Sequence, residues 1–185
     1  MSGLLMKFFM FSFVGFILEC IWFYINERSV RTKRMLINLP MCPVYGIGAV
    51  LYSLCIGGFS DNPVTVFISG SIVATSAEFL FYSFFLIRYN ILVWDYGMKK
   101  ANYKGGICFE YSLLWGVAAL FYVYCAEGAA NFVISHMSDY LQLIIIVFLG
   151  MLTLSDAAKT FDVFKKYRDG ESEKLPDCFW YMKKI

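Results

Sequence analysis

The chain has 185 residues, 59% of them hydrophobic, and a mean hydropathy of +0.62. A soluble domain of this length carries less than half apolar residues, so the composition excludes one and defines an integral membrane protein built as a single domain. The net charge of +2 comes from basic residues gathered into particular loops, and these form no face for nucleic acid.

The first apolar span runs from about Leu4 to Ile25, close to the ~20 residues that a membrane helix needs. It lacks a small-residue cleavage site and stays apolar for longer than a signal peptide's core, so it is expected as a retained helix. Ser12, Gly15, Glu19 and Trp22 share one of its faces. A basic segment follows, with Arg28, Arg31, Lys33 and Arg34. The second span opens at Pro40-Met-Cys-Pro43, where proline suits a helix's first turn, and continues to about Phe59. Ser60-Asp-Asn-Pro63 reads as a tight polar turn.

The third span, about Val64 to Ile87, carries Ser71, Thr75, Glu78 and Tyr82 on one face, beside a strip of small residues at Gly70, Ala74 and Ala77. The loop from Arg88 to Gly106 mixes lysines with Tyr89, Trp94, Tyr96 and Tyr103, a composition suited to the headgroup layer. The fourth span is expected from Ile107 to Cys125, followed by a loop with Glu127, His136 and Asp139. The fifth runs from about Tyr140 to Phe164. The predicted fold class is therefore all-α and integral to the membrane. Five transmembrane helices occupy residues 1–164, and a short tail occupies 165–185.

Lys and Arg concentrate after spans one, three and five and are missing after spans two and four. This predicts an N-terminus outside and a C-terminus inside a multi-pass protein of the cell membrane. Lys7 alone sits on the wrong side of that pattern.

Glu19, Glu78 and Asp156 then fall at similar depths in the inner half of the bilayer, at about 1.5 Å of rise per residue. A carboxylate near mid-bilayer costs about 2.5 to 3.5 kcal/mol on insertion scales, so each must meet a partner or line a polar cavity. Lys159, three residues past Asp156, is positioned to pair with it. Glu19 and Glu78 have no obvious cation in sequence: either each is protonated or bonded to a serine, tyrosine or tryptophan and fastens the bundle, or both line a polar cavity open to the cytoplasm, with Trp22, Tyr82 and Trp115 around it.

Spans one and two resemble spans three and four. Each pair reads acid, aromatics, basic loop, Cys-x-x-Tyr and glycine, with Cys42 and Tyr45 in one copy and Cys108 and Tyr111 in the other. This would be a parallel internal repeat with the site between its halves. Cys42 and Cys108, at helix starts, gain thiolate character there, although small inert buried cysteines account for them more simply. Neither a phosphate loop, a Gly-x-Ser-x-Gly elbow, a HExxH pair nor a CxxC motif occurs, so no catalytic residue, metal site or cofactor is expected.

Five stretches and Arg34 carry a family resemblance. The stretches are Gly15-Phe-Ile-Leu-Glu19, Asn38-Leu-Pro-Met-Cys42-Pro-Val-Tyr45-Gly46-Ile-Gly48, Ser76-Ala-Glu78-Phe, Trp94-Asp95-Tyr96, and Gly105-Gly-Ile-Cys108-Phe-Glu-Tyr-Ser112-Leu-Leu-Trp115-Gly116. Over residues 10 to 120 the chain resembles the small integral membrane proteins grouped as type IV ABC-transporter permeases. Met35 and Leu39 stand where similar proteins have glycines. Cys42, Tyr45, Trp94, Asp95 and Cys108, which lie in these stretches, join the candidate ligand-binding residues. The resemblance also implies a permease-like component, as a homo-oligomer or with a partner membrane subunit, working with a separate ATPase. Two other classes remain open at this point: a membrane enzyme using an interfacial cysteine and acid, and a non-catalytic scaffold or sensor subunit.

Overall fold

The computed structural model describes residues 1–27, 34–56 and 62–184. The basic residues Arg28, Arg31 and Lys33, the end of the second span at Phe59, and Ser60 and Asp61 of the polar turn lie outside the described residues. Six helices follow in order: α1 Ser2–Glu27, α2 Pro43–Cys55, α3 Pro63–Tyr89, α4 Phe109–Phe121, α5 Glu127–Ser135 and α6 Asp139–Asp169. A single wide π-helical turn, Tyr122–Ala126, joins α4 to α5 into one continuous rod. The span predicted to stop near Cys125 therefore continues to Ser135, and Glu127 lies within a helix instead of a loop.

Four of these stretches are long and apolar enough to cross a membrane: Ser2–Ile25, Pro63–Tyr89, Phe109–Ser135 and Asp139–Asp169. Their ends follow local chemistry. Asn62 Oδ1 accepts from the N–H groups of Val64 and Thr65 ahead of Pro63, and α3 stops at Asn90 in the left-handed region. Ser138 caps α6, and Gly170, at φ 80°, ends it.

The predicted second span is different. α2 has only 13 residues, about 20 Å at 1.5 Å per residue, against a hydrocarbon thickness of about 30 Å. The chain ahead of it, residues 34–42, runs non-helically into the bundle. Leu36 and Met41 are buried there with Phe9, and Ile146 and Leu149 of α6 pack alongside. The Cys42 N–H donates to the Ser12 carbonyl, so α2 begins beside the middle of α1.

Non-helical backbone at membrane depth survives only where protein groups satisfy it. Asp156 of α6 does this here. Its Oδ2 accepts from the backbone N–H groups of Asn38 and Leu39, both at 2.9 Å, and its Oδ1 accepts from Asn38 Nδ2 at 2.7 Å. Thr160 Oγ1 accepts the Ile37 N–H at 3.3 Å and donates to the Asp156 carbonyl. The partner expected from sequence, Lys159, is exposed. Asp156 turns inward because two N–H groups of a part-buried, non-helical segment bind a carboxylate better than a solvated lysine does.

The closest helix pairs are α1 with α2 and α3 with α4. Each pair has a glycine at its crossing. A Cβ on Gly46 would fall on Ser12 Oγ and the Phe8 carbonyl, and one on Gly116 would fall on Ser71 Oγ and the Phe67 ring. The core between them is built from Ala49, Tyr52, Val66, Ala74, Ala119 and Tyr122. Small residues at both crossings allow the backbones to come close, the usual basis for helix association where lipid removes the hydrophobic driving force.

A second core closes the end of the bundle that carries the loops. Strand β1 (Ile91–Leu92) pairs antiparallel with β4 (Lys183–Lys184), and β2 (Asn102–Tyr103) pairs with β3 (Ile107–Cys108). Ile91, Val93, Phe164 and Phe179 are fully buried together. The predicted tail therefore begins as helix, since α6 continues to Asp169, and then packs against β1. Tyr181 OH donates to the Arg34 carbonyl at 2.6 Å.

Asp156→Ala is expected to lower stability by about 2 kcal/mol, because the donors it strands are part-buried and each costs toward the lower end of ~1–3 kcal/mol. Lys159→Ala should stay within about 0.5 kcal/mol, as for an exposed charge. Thermal unfolding of the purified protein in detergent compares the two, and equal losses would refute this account of α2.

Candidate functional site

The two glutamates singled out by the sequence are joined by aromatic side chains. Glu19, on α1, accepts a hydrogen bond from Tyr45 OH at 2.9 Å. Tyr45 can lie against α1 because Gly15 has no side chain; a Cβ there would overlap the tyrosine ring. The Tyr45 ring meets Trp115 edge to face, with centroids 6.3 Å apart. Trp115 Nε1–H donates to Glu78 Oε2 at 3.0 Å, and Tyr96 OH donates to Glu78 Oε1 at 2.9 Å. Glu78 is 5% exposed and has an N–H or O–H donor on each oxygen, which is the arrangement an acceptor-only carboxylate takes.

The loop between α3 and α4 brings Tyr96 to Glu78. Trp94 Nε1–H donates to the Gly106 carbonyl at 2.8 Å, and Tyr82 OH donates to the Lys104 carbonyl at 3.0 Å. Asp95 Oδ1 accepts from the Gly97 N–H at 2.8 Å, forming a turn that aims the next residue inward. Tyr96 stacks on Tyr111 at 4.7 Å. Burial, then the charge and hydrogen bond of Glu78, push the Tyr96 phenol well above its ordinary pKa. It remains protonated, and so remains a donor, through any physiological pH.

A cavity of about 180 Å³ lies among α1, α2, α3 and α4. Tyr45, Glu78 and Trp115 stand on its wall, as do Tyr52 and Tyr122. Most of the wall is apolar. Its exposed members, Val14, Leu18, Ile47 and Phe121, are all within helices and away from the loops. The sequence predicts an opening at the basic end of the bundle, but there the loops and the tail pack over the helices.

Three of the predicted site residues thus meet at the cavity: Tyr45, Glu78 and Trp115. Glu19 is bonded to Tyr45 without lining the wall. Trp22 is 55% exposed on α1. Tyr82, Trp94 and Asp95 brace the loop that supplies Tyr96. Cys42 and Cys108, each 2% exposed, occupy the positions just ahead of α2 and α4. Among the described residues, no group of three or more His, Cys, Asp or Glu side chains could hold a metal ion.

Two features escaped the sequence reading. One is Tyr96, whose aromatic loop reads as headgroup-facing. The other is a polar cluster beyond the cavity's opposite end. There Lys7 Nζ, on a residue 7% exposed, donates to Glu127 Oε1 at 2.5 Å and to Ser53 Oγ at 3.2 Å. Ser53 donates to Glu127 at 2.7 Å and shares a hydrogen bond with Tyr122 OH, also at 2.7 Å. Lys7, the residue that disturbed the charge pattern, is neutralised inside the bundle.

Four helices long enough to cross a bilayer, with acids bonded among them, define a multi-pass α-helical membrane protein. The family described as "Putative ABC-transporter type IV" matches residues 6–161, and the chain belongs to that family. No curated protein and no solved structure matches it.

Trp115→Phe keeps the ring and removes the donor to Glu78. A hydrogen bond to a charged group contributes about 1.5–3 kcal/mol, so a loss of that size is expected in thermal unfolding. Tyr140→Phe, which removes a donor at an 83% exposed position, should be close to neutral. Equal effects would show that the Trp115–Glu78 bond contributes little.

Proposed function

We propose that the protein is a permease-like membrane component that binds and moves a small solute through the cavity between the α1–α2 and α3–α4 pairs. The observation that carries this reading is a buried carboxylate, Glu78, held by two donors on the wall of an otherwise apolar cavity inside a membrane protein. Intramembrane acids of this kind mark solute and ion pathways.

The reading includes an N-terminus outside, a C-terminus inside, and an ATPase supplied in trans. That orientation sets the 90–107 loop and the tail at the cytoplasmic face, with residues 34–42 entering the bundle from that side. The exposed Lys99, Lys100 and Lys104 would then be the docking surface for the ATPase. The apolar face of α6, with Ile144, Phe148 and Met151 exposed, suits lipid, a second copy or a partner membrane subunit.

A parallel repeat also supports a site between two halves. Phe8, Ser12 and Glu19 recur at Phe67, Ser71 and Glu78, and Tyr45, Gly46, Ala49 and Tyr52 recur at Trp115, Gly116, Ala119 and Tyr122. In both halves the glycine meets the serine, and the aromatic residue before that glycine donates to the acid. The register differs from the Cys-x-x-Tyr alignment, in which Tyr111 would have taken the place of Trp115. A solute site on the seam of such a repeat is a recurrent arrangement in transporters.

The enzymatic alternative draws no support from Cys42 or Cys108, whose thiols are buried away from the cavity wall. A scaffold or sensor subunit would also hold its acids by protein donors, but it would have no need of the cavity.

Ala118→Leu would fill the cavity from α4 without touching either acid. Small molecules extracted from the purified wild-type protein and from this variant, compared by mass spectrometry, should differ by a species that only the wild type retains. Identical extracts from two equally stable proteins would reject a solute site.

A further inference from the structure

The cavity has a charge sign and a surface chemistry that narrow its ligand. Its wall is rich in aromatic rings, among them Phe11, Tyr45, Phe81 and Trp115. Among the described residues, Glu78 is the one wall residue of the Asp, Glu, Lys, Arg or His types. An anion would find no Lys, Arg or His to offset its lost hydration, whereas a cation meets both the carboxylate and the negative faces of the rings. Aromatic walls around a carboxylate are the recognition chemistry of alkylammonium groups, whose diffuse charge is weakly hydrated.

Size and access narrow it further. An apolar protein cavity of about 150 Å³ accommodates benzene, so 180 Å³ takes a group the size of one substituted ring. The exposed wall residues Val14, Leu18, Ile47 and Phe121 are apolar and within the helices, so the mouth faces hydrocarbon, not an aqueous vestibule. A ligand using that mouth must itself partition into the bilayer.

We propose that the cavity binds a lipophilic organic cation of about one ring in size, which enters from the bilayer core. This inference rests on the reading of the cavity as a solute site and adds the ligand's class and route. Glu78, fixed by Tyr96 and Trp115, supplies the counter-charge. The Tyr45 and Trp115 rings supply the faces over which the ammonium lies. Ala118, on the same wall, limits the depth.

Three probes with one ring and different charges test it: phenyltrimethylammonium, its neutral isostere tert-butylbenzene, and benzenesulfonate. The full chain in nanodiscs is titrated with each, and the thermal midpoint and the calorimetric heat are read. The expected result is a saturable upward shift with the cation alone. Glu78→Gln should weaken its apparent affinity at least tenfold, and Ala118→Leu should abolish the shift. Should Glu78→Gln fail to fold, Ala118→Leu with the carboxylate intact remains decisive, because it alters volume and leaves charge unchanged.

If the neutral probe binds as well as the cation, or if cation binding is unaffected by Glu78→Gln, the cation class is overturned while a solute cavity stands. Preferential binding of benzenesulfonate overturns it likewise. If no probe binds at millimolar concentration while small-molecule extracts still differ between wild type and Ala118→Leu, the proposed ligand class falls alone. If those extracts are also identical, the solute site falls with it.

Discussion

Polar groups at membrane depth have to be met by other protein groups, and this constraint determines which parts of the chain come together. Four carboxylates are placed within apolar helices, and each is satisfied by a segment distant in sequence, Glu127 by Lys7 and Ser53. Glu19 takes the phenol of Tyr45, Glu78 takes the indole of Trp115 and the phenol of Tyr96, and Asp156 takes the backbone of Asn38 and Leu39. Each bond ties an element that would otherwise be independent into the bundle. An apolar surface facing lipid contributes little to helix association, so directional bonds and close small-residue packing carry much of the specificity.

The two loops that reach into the bundle use this constraint in different ways. Residues 34–42 give up helical hydrogen bonds and borrow acceptors from Asp156 and Thr160, which leaves α2 short and starts it beside the middle of α1. The 90–107 loop keeps its own small hairpin and sends one side chain, Tyr96, inward to Glu78. The halves of the bundle are thus similar at their glycine crossings and different in the loops that lead into α2 and α4. The cavity lies where the two helix pairs meet, and its wall takes the acid from one half and a tyrosine from the other.

Much of this was legible in the sequence. Apolar length predicted five spans, four of which are helices long enough to cross a membrane, and mid-span acids marked buried polar positions, because both signals act through local composition. The half-length α2 was not legible. Pro40-Met-Cys-Pro43 announces a helix start, but nothing local says how deep in the membrane that start lies; this depends on Asp156, over a hundred residues away. For Asp156 itself, helix spacing favours the near neighbour Lys159 and cannot foresee a non-helical segment beside it. The seven-residue spacing from Ser12 to Glu19 and from Ser71 to Glu78, with Tyr45-Gly46 and Trp115-Gly116, was present as a signal. It was hidden because the cysteines offered a more conspicuous alignment in another register.

The wide turn at Tyr122–Ala126 has a geometric consequence for the whole far end of the bundle. Each residue of an α-helix advances the side-chain direction by about 100°. A π turn accommodates one additional residue without breaking the rod, so everything after it is rotated relative to the helix before it. Had α4 continued with regular winding, Glu127 would point about a quarter-turn away from where Lys7 and Ser53 now hold it. A single residue's worth of phase thus determines whether the ammonium on α1 is neutralised in the interior or stranded there.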